Sequence, residues 1–144
     1  MKLSTRGRYG VRFMLDLALN DDDRPVLMKD LAGRQGLSEK YLGNLVPALK
    51  AAGLVRSVRG ARGGYLLSKR PEEISLKDIV SALEGSLCLV DCVDEPDICG
   101  RSATCVARDV WHEASRNISR VLEEITLETM ARRCGEREQS GSCV

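Results

Sequence analysis

The sequence predicts a mainly α-helical fold with one small β-hairpin wing: a winged helix-turn-helix followed by a long dimerisation helix. Three observations predict it. Apolar residues recur at helical spacing along most of the 144-residue chain. Two short runs, LVRSV and GYLLS, flank the glycine-rich segment RGARGG and suit a hairpin. Just before them, two helical patterns are joined by a tight turn containing glycine.

The first helix spans about residues 4–20, with Val11, Met14, Leu15 and Ala18 on its inner side and Asn20 and the aspartate run 21–23 ending it. A second, about 28–35, closes on Gly36, which suits a left-handed cap. Ser38 is placed to cap a third, EKYLGNLVPALKAAG, because its hydroxyl can accept a free amide of the first turn. Leu42, Leu45, Val46 and Leu49 form the buried face of that third helix, and Lys40, Gly43, Asn44 and Pro47 its outer face. Pro47 has no amide proton and should kink or weaken the helix. Beyond the hairpin, Ser75 caps a helix over 76–83 with Ile79 and Val80 inward.

No periodicity runs through 84–104, so that stretch is a loop, and loops of this length usually carry function. A long helix over about 104–124 follows, with Val106, Val110, Trp111, Ala114, Ile118, Val121 and Leu122 along one stripe, and Ile125 just beyond it. That stripe is more than one small domain can cover, which predicts a homodimer. Thr126 caps a last short helix, LETMARR. The domain reading is a winged helix-turn-helix over 1–83, a cysteine loop over 84–104, dimer and C-terminal helices over 105–133, and a disordered tail over 134–144.

Charge divides the same way. Residues 1–70 carry 14 Lys/Arg against 6 Asp/Glu, and residues 71–144 carry 8 against 15, so a net +1 conceals a basic half and an acidic half. A basic half that attracts phosphate beside a half that repels it suggests a nucleic-acid binder with a separate sensor. No apolar run approaches the roughly 18 residues of a membrane span, and the start, MKLSTRGRYGVRF, does not read as a secretory signal. A cytoplasmic location is expected. With one histidine and no recognisable nucleophile–base arrangement, the sequence does not read as an enzyme.

Ser38, Lys40, Tyr41 and Asn44 are the candidate groove contacts of the third helix, and Arg59 and Arg62 those of the wing, where guanidiniums can clamp phosphates or enter a minor groove. The expected partner is double-stranded promoter DNA. The glycines of RGARGG do not join a strand to a following helix, so a nucleotide-binding loop is a poor reading.

All six cysteines, Cys88, Cys92, Cys99, Cys105, Cys134 and Cys143, lie in the acidic half. Without a secretion signal they point to metal or redox work rather than a disulfide framework. Cys92, Cys99 and Cys105 follow neither a CxxC nor a zinc-finger spacing. Iron–sulfur cluster, zinc and a thiol switch all remain open on spacing alone, as does a small redox protein whose basic half docks an acidic partner. Cys134 and Cys143 are expected to be dispensable.

The start MKLSTRGRYGVRFMLDLALN, the block GLSEKYLGNLVPALKAAGLVRSVRGARGGYLL, the ending VLEEITLE, the three cysteines and Trp111 together resemble the Rrf-type winged-helix regulators, the family of IscR, NsrR and RirA, over about residues 1–130. The resemblance implies a homodimer on palindromic promoter DNA, a repressor whose iron–sulfur cluster reports cluster supply, iron, redox state or nitric oxide. Cys92, Cys99 and Cys105 would be its ligands, with 2Fe–2S ranked ahead of 4Fe–4S. Three positions depart from the pattern. IscR-like relatives place a histidine ligand where this chain has Arg108. NsrR-like relatives draw an acidic ligand from the position of Arg8. IscR-like members carry a glutamate at the position of Gly43, associated there with switching between DNA sites, so on/off binding is the reading for this chain. The fourth ligand is left among Cys88, His112, a carboxylate and water.

Overall fold

The computed structural model describes residues 2–139. Helix α1 (Thr5–Leu19) opens at Ser4, whose Oγ accepts the amide of Gly7 at 3.2 Å. Its buried stripe runs through Phe13, Met14, Leu15 and Leu17, with Val11 and Ala18 half-buried beside the core. Helix α2 (Met28–Gln35) ends on Gly36 in the left-handed conformation, φ 64°, and the Gly36 amide donates to the Ala32 carbonyl. Here the cap chemistry read from the sequence holds.

The expected third helix is two helices. Ser38 caps α3 (Glu39–Gly43) through its Oγ, which accepts the Tyr41 amide at 3.1 Å, and α4 (Val46–Ala51) restarts after a turn at Asn44 and Leu45. Pro47 is the cause. It cannot donate to the Gly43 carbonyl and its ring crowds that carbonyl, so the chain breaks before it and re-enters helix with proline in the first turn, where no amide is needed. Leu42, Leu45, Val46 and Leu49 all remain buried across the break.

Strands β1 (Val55–Val58) and β2 (Gly64–Leu67) pair antiparallel, Val55 facing Leu67 and Val58 facing Gly64. Val26, between α1 and α2, bridges Tyr65 of β2 through two backbone hydrogen bonds of 2.9 Å. The wing is thereby bonded to the approach to α2 as well as to itself.

A 3₁₀ turn at Pro71–Glu73 leads to α5 (Leu76–Glu84), where Ser75 and Asp78 cap each other reciprocally. The expected loop contains a short helix α6 (Asp91–Asp94) and 3₁₀ turns at Pro96–Ile98 and Ser102–Thr104. Helix α7 (Val106–Glu124) then runs for 19 residues.

The end of the chain differs from expectation. Helix α8 continues from Leu127 to Glu138, past the predicted limit at 133, so residues 134–138 are helical. Cys134 is buried in it, at 1% exposure, so it is no part of a polar tail and its dispensability does not follow; Cys143 lies outside the described residues. Helix α8 also belongs to the first domain. The Leu127 amide donates to the Ile74 carbonyl at 2.9 Å and the Leu76 amide to Ile125 at 2.7 Å. The Leu127 side chain joins Phe13, Leu31, Leu49, Ile74 and Ile79 in one core. Leucine at the first position of an amphipathic helix has to be covered, and the groove between α1 and the 3₁₀ turn covers it.

Candidate functional site

Two regions carry the chemistry. The first is the face presented by α3, α4 and the wing. Lys40 and Asn44 are exposed on α3 and at its end, and Arg59 and Arg62 are exposed in the turn between the strands. Lys50 Nζ donates to Ser57 Oγ at 3.0 Å, a bond between α4 and β1 that sets the helices against the wing. Ser38 is committed to its cap. Tyr41 is half-buried, its ring edge-on to Tyr9 at 5.7 Å, so the ring of this expected groove contact packs against α1.

Behind that face lies a polar network that the sequence reading missed. Asp16, only 5% exposed, accepts from Arg34 Nη2 at 2.6 Å and Nε at 3.1 Å and from Gln35 Nε2 at 2.8 Å. Arg12 donates to Gln35 Oε1 at 2.8 Å and to its carbonyl at 3.2 Å, and its guanidinium lies 5.3 Å from the Tyr9 ring centre. Charge-assisted bonds thus join α1 to α2, and the Tyr9–Tyr41 pair continues the contact to α3. The visible signal was Asp16 itself, a carboxylate between Leu15 and Leu17 on a buried stripe.

The second region is the cysteine loop. Cys88, Cys92, Cys99 and Cys105 are free thiols. Cys92 sits in α6, Cys99 follows the second 3₁₀ turn, and Cys105 is the residue before α7. Among the described residues, no three His, Cys, Asp or Glu side chains are gathered as a metal-holding set. The structure therefore does not bring the three expected ligands together. The two candidates for a fourth ligand do share a place: Cys88 and His112 line one cavity of about 350 Å³, with Asp94, Ser115 and Arg116. Cys99 lines a different one of about 440 Å³, with Arg108 and Ser102.

Cys88 is already engaged. Its thiol donates to Asp94 Oδ1 at 2.9 Å, and Ser86 Oγ donates to the other oxygen of the same carboxylate. The hydrogen bond to Asp94, followed by burial, pushes the Cys88 thiol pKa up from its ordinary value. That same bond, with the one from Ser86, holds the Asp94 carboxyl below its ordinary range. Helix α7 holds the loop at two points. Arg108 Nε donates to the Cys92 carbonyl at 2.7 Å, and Ser115 Oγ accepts the Leu89 amide at 3.0 Å. Arg8 lies on α1 with its guanidinium 5.8 Å from the Tyr9 ring. On the outer side of α7, Val106, Val110, Trp111 and Val121 are 76, 53, 44 and 52% exposed.

Among the described residues no helix is long and apolar enough to cross a membrane. The Rrf2 family, described as "Iron-dependent Transcriptional regulator", matches residues 3–133. The protein rrf2 of Nitratidesulfovibrio vulgaris is 44% identical over 132 residues, covering 92% of this chain and 88% of its own length. The HTH-type transcriptional regulator IscR of Photobacterium profundum is 39% identical over 141 residues, covering 98% of this chain and 81% of its own. The solved structure of CymR, the global cysteine regulator of Bacillus subtilis, superposes with a TM-score of 0.77 at 37% identity, covering 92% of this chain and 98% of that one. The IscR relative is named as a transcriptional regulator and CymR as a cysteine regulator, neither as an enzyme, and the CymR structure shares this fold. A winged helix-turn-helix with this sequence and these neighbours belongs to the Rrf2 family of transcriptional regulators.

Proposed function

We propose that this chain is an iron–sulfur-cluster-dependent homodimeric repressor of promoter DNA, with Cys92, Cys99 and Cys105 as thiolate ligands. The observation that carries the reading is the donor set. These three free thiols lie within one loop that leads directly into α7, and none has a side-chain hydrogen bond among the described residues. Thiolates suit iron–sulfur clusters, and a loop can supply them without the close pairs of a zinc ribbon. Arg108, whose guanidinium offers hydrogen-bond donors and no acceptor lone pair, cannot be the fourth ligand. Cys88 in the loop and His112 on α7, which line one cavity, are the named candidates among side chains.

A bound cluster, 2Fe–2S before 4Fe–4S, supplies a centre sensitive to electrons, iron supply and nitric oxide. The chain's own residues do the rest. Lys40 and Asn44 face a major groove, Arg59 and Arg62 the flanking phosphates or minor groove. The exposed apolar stripe of α7 packs against a second copy. Two-fold symmetry then sets two α3 helices on palindromic half-sites about one helical turn apart. The loop meets α7 and the end of α5, so its order bears on that spacing.

A thiol switch is the second reading. It is favoured by the kinship with CymR, whose solved structure names it a cysteine regulator, and by the three thiols standing apart. Anaerobic reconstitution followed by iron and sulfide analysis separates the two. Expected is a coloured protein whose cluster is lost in each of C92A, C99A and C105A while the fold remains. A colourless protein with stoichiometric zinc, or with thiols that only form disulfides, overturns the cluster reading.

A further inference from the structure

We infer that Arg108 and Ser115 are positioning residues that pin Cys92 to α7, leaving Cys99 on the arm that has to move when the ligands converge. The inference rests on the proposed ligand set. It starts from a contrast between two parts of one loop.

The part that carries Cys92 is bonded to α7 at two points and closed on itself. Arg108 and Ser115 lie seven residues apart on α7, two helical turns, and so share a face of that helix. Arg108 Nε takes the Cys92 carbonyl at 2.7 Å and Ser115 Oγ takes the Leu89 amide at 3.0 Å. Ser115 is itself fixed, 5% exposed, with its hydroxyl donating to the Trp111 carbonyl at 2.7 Å. Asp94 then closes the segment on itself, accepting from Cys88 and from Ser86. Cys105 is equally fixed, as the residue from which α7 begins.

The part that carries Cys99 hangs from α6, where the Glu95 amide donates to the Asp91 carbonyl at 2.9 Å. Its other bonds are local turns, among them Ile98 amide to the Glu95 carbonyl at 3.2 Å and Ser102 Oγ to the Pro96 carbonyl at 2.6 Å. Among the described residues no side-chain hydrogen bond joins 95–104 to α7. Cys99 is exposed, and a cavity of about 440 Å³ lies between its arm and Arg108. Three ligands that stand apart can meet only if one arm moves. The bonds assign the movement to 95–104 and the fixed frame to Cys92 and Cys105. A ligand held in place before binding loses less freedom on binding, which is the general advantage of preorganisation.

The test uses the full chain with three variants. R108M keeps the aliphatic stem without a donor, R108K keeps a donor to the carbonyl, and S115A removes the second point. Amide exchange of the iron-free protein over 88–94 should quicken about tenfold in R108M and S115A, and stay near wild type in R108K. Loss of cluster absorbance to a chelator should quicken in the same order, with the spectrum of R108K like that of wild type. On loading the wild type, exchange should slow over 95–104 and hardly change over 88–94. Wild-type exchange over 88–94 in R108M, or slowing on loading confined to 88–94, overturns the inference. Absence of any cluster in wild type instead overturns the proposed function, and the iron-free exchange still decides the two-point attachment.

Discussion

Gly10 lies directly against Leu83: a Cβ at position 10 would stand 1.9 Å from Leu83 Cδ1. Position 10 therefore admits a side chain only if the buried Leu83 side chain shifts. One turn earlier the Gly7 amide donates to Glu84 Oε1 at 3.0 Å, so the last residue of α5 caps the start of α1. Substituting G10A should cost about 1–3 kcal/mol by overpacking. G33A is the control, because nothing lies within 4 Å of its new methyl. Urea unfolding of both, read by circular dichroism, checks this.

Removing the Asp16 carboxylate should also destabilise the fold, because Gln35 loses a buried acceptor. Arg34 is 43% exposed and can turn to water, which limits the loss. For D16A about 2 kcal/mol is expected, less than the cost of breaking a fully buried ion pair. Denaturant midpoints measure it, and DNA affinity should fall with it, since α2 and α3 are aimed through this network.

Arg59 and Arg62 should act on DNA as charges. R59A and R62A should each weaken binding to all sequences and lower the slope of log K against log salt by about one. N44A should relax discrimination at one base pair, at a cost of about 1–3 kcal/mol. Anisotropy titrations over a range of potassium chloride, on specific and scrambled duplexes, distinguish these outcomes. Unchanged slopes in both arginine variants would remove the wing from the interface.

The Cys88–Asp94 bond sets a pH dependence. The thiol pKa is raised, so its contribution is present below the ordinary thiol value of 9.0 and is lost as pH rises through the raised one. The carboxyl is lowered, so its contribution is present above its ordinary 3.8 and is lost as pH falls through the lowered one. The bond is intact between those limits. Iodoacetamide should therefore modify Cys88 more slowly than the exposed Cys99 at pH 8.5, and D94N should speed Cys88 several-fold. Mass spectrometry of timed digests reads both rates.

The stripe on α7 should hold two copies together. V110D places a charge in its middle and should shift the protein to monomer in sedimentation velocity, with DNA affinity falling because only one half-site is engaged. A dimer unaffected by V110D would place the contact elsewhere.

How much of this could be read beforehand follows from the range of the forces involved. Ser38, Gly36 and Ser75 act on their own helix ends, so the sequence shows them directly. Pro47 announced a defect, although its size, a full break and not a kink, depends on how well Leu42 and Val46 pack on either side of the break. Asp16 was visible as an oddity, but its partners come from α2 and lie 18 and 19 residues away. The attachment of Cys92 to Arg108 spans 16 residues and binds a backbone carbonyl, and carbonyls leave no mark in a sequence. The extent of α8 is hidden in the sequence because its few apolar residues meet a groove that exists only once α1 and Ile74 are in place.

Leu127 sits in the same interior as Phe13, although more than a hundred residues and the whole cysteine loop lie between them. A chain cut after α5 would leave that interior open, so the winged helix cannot be excised from the segment that follows it. The two halves of this protein are not interchangeable cassettes. Any exchange of the cysteine loop between relatives has to bring along the closing helix, or supply another leucine to fill the gap.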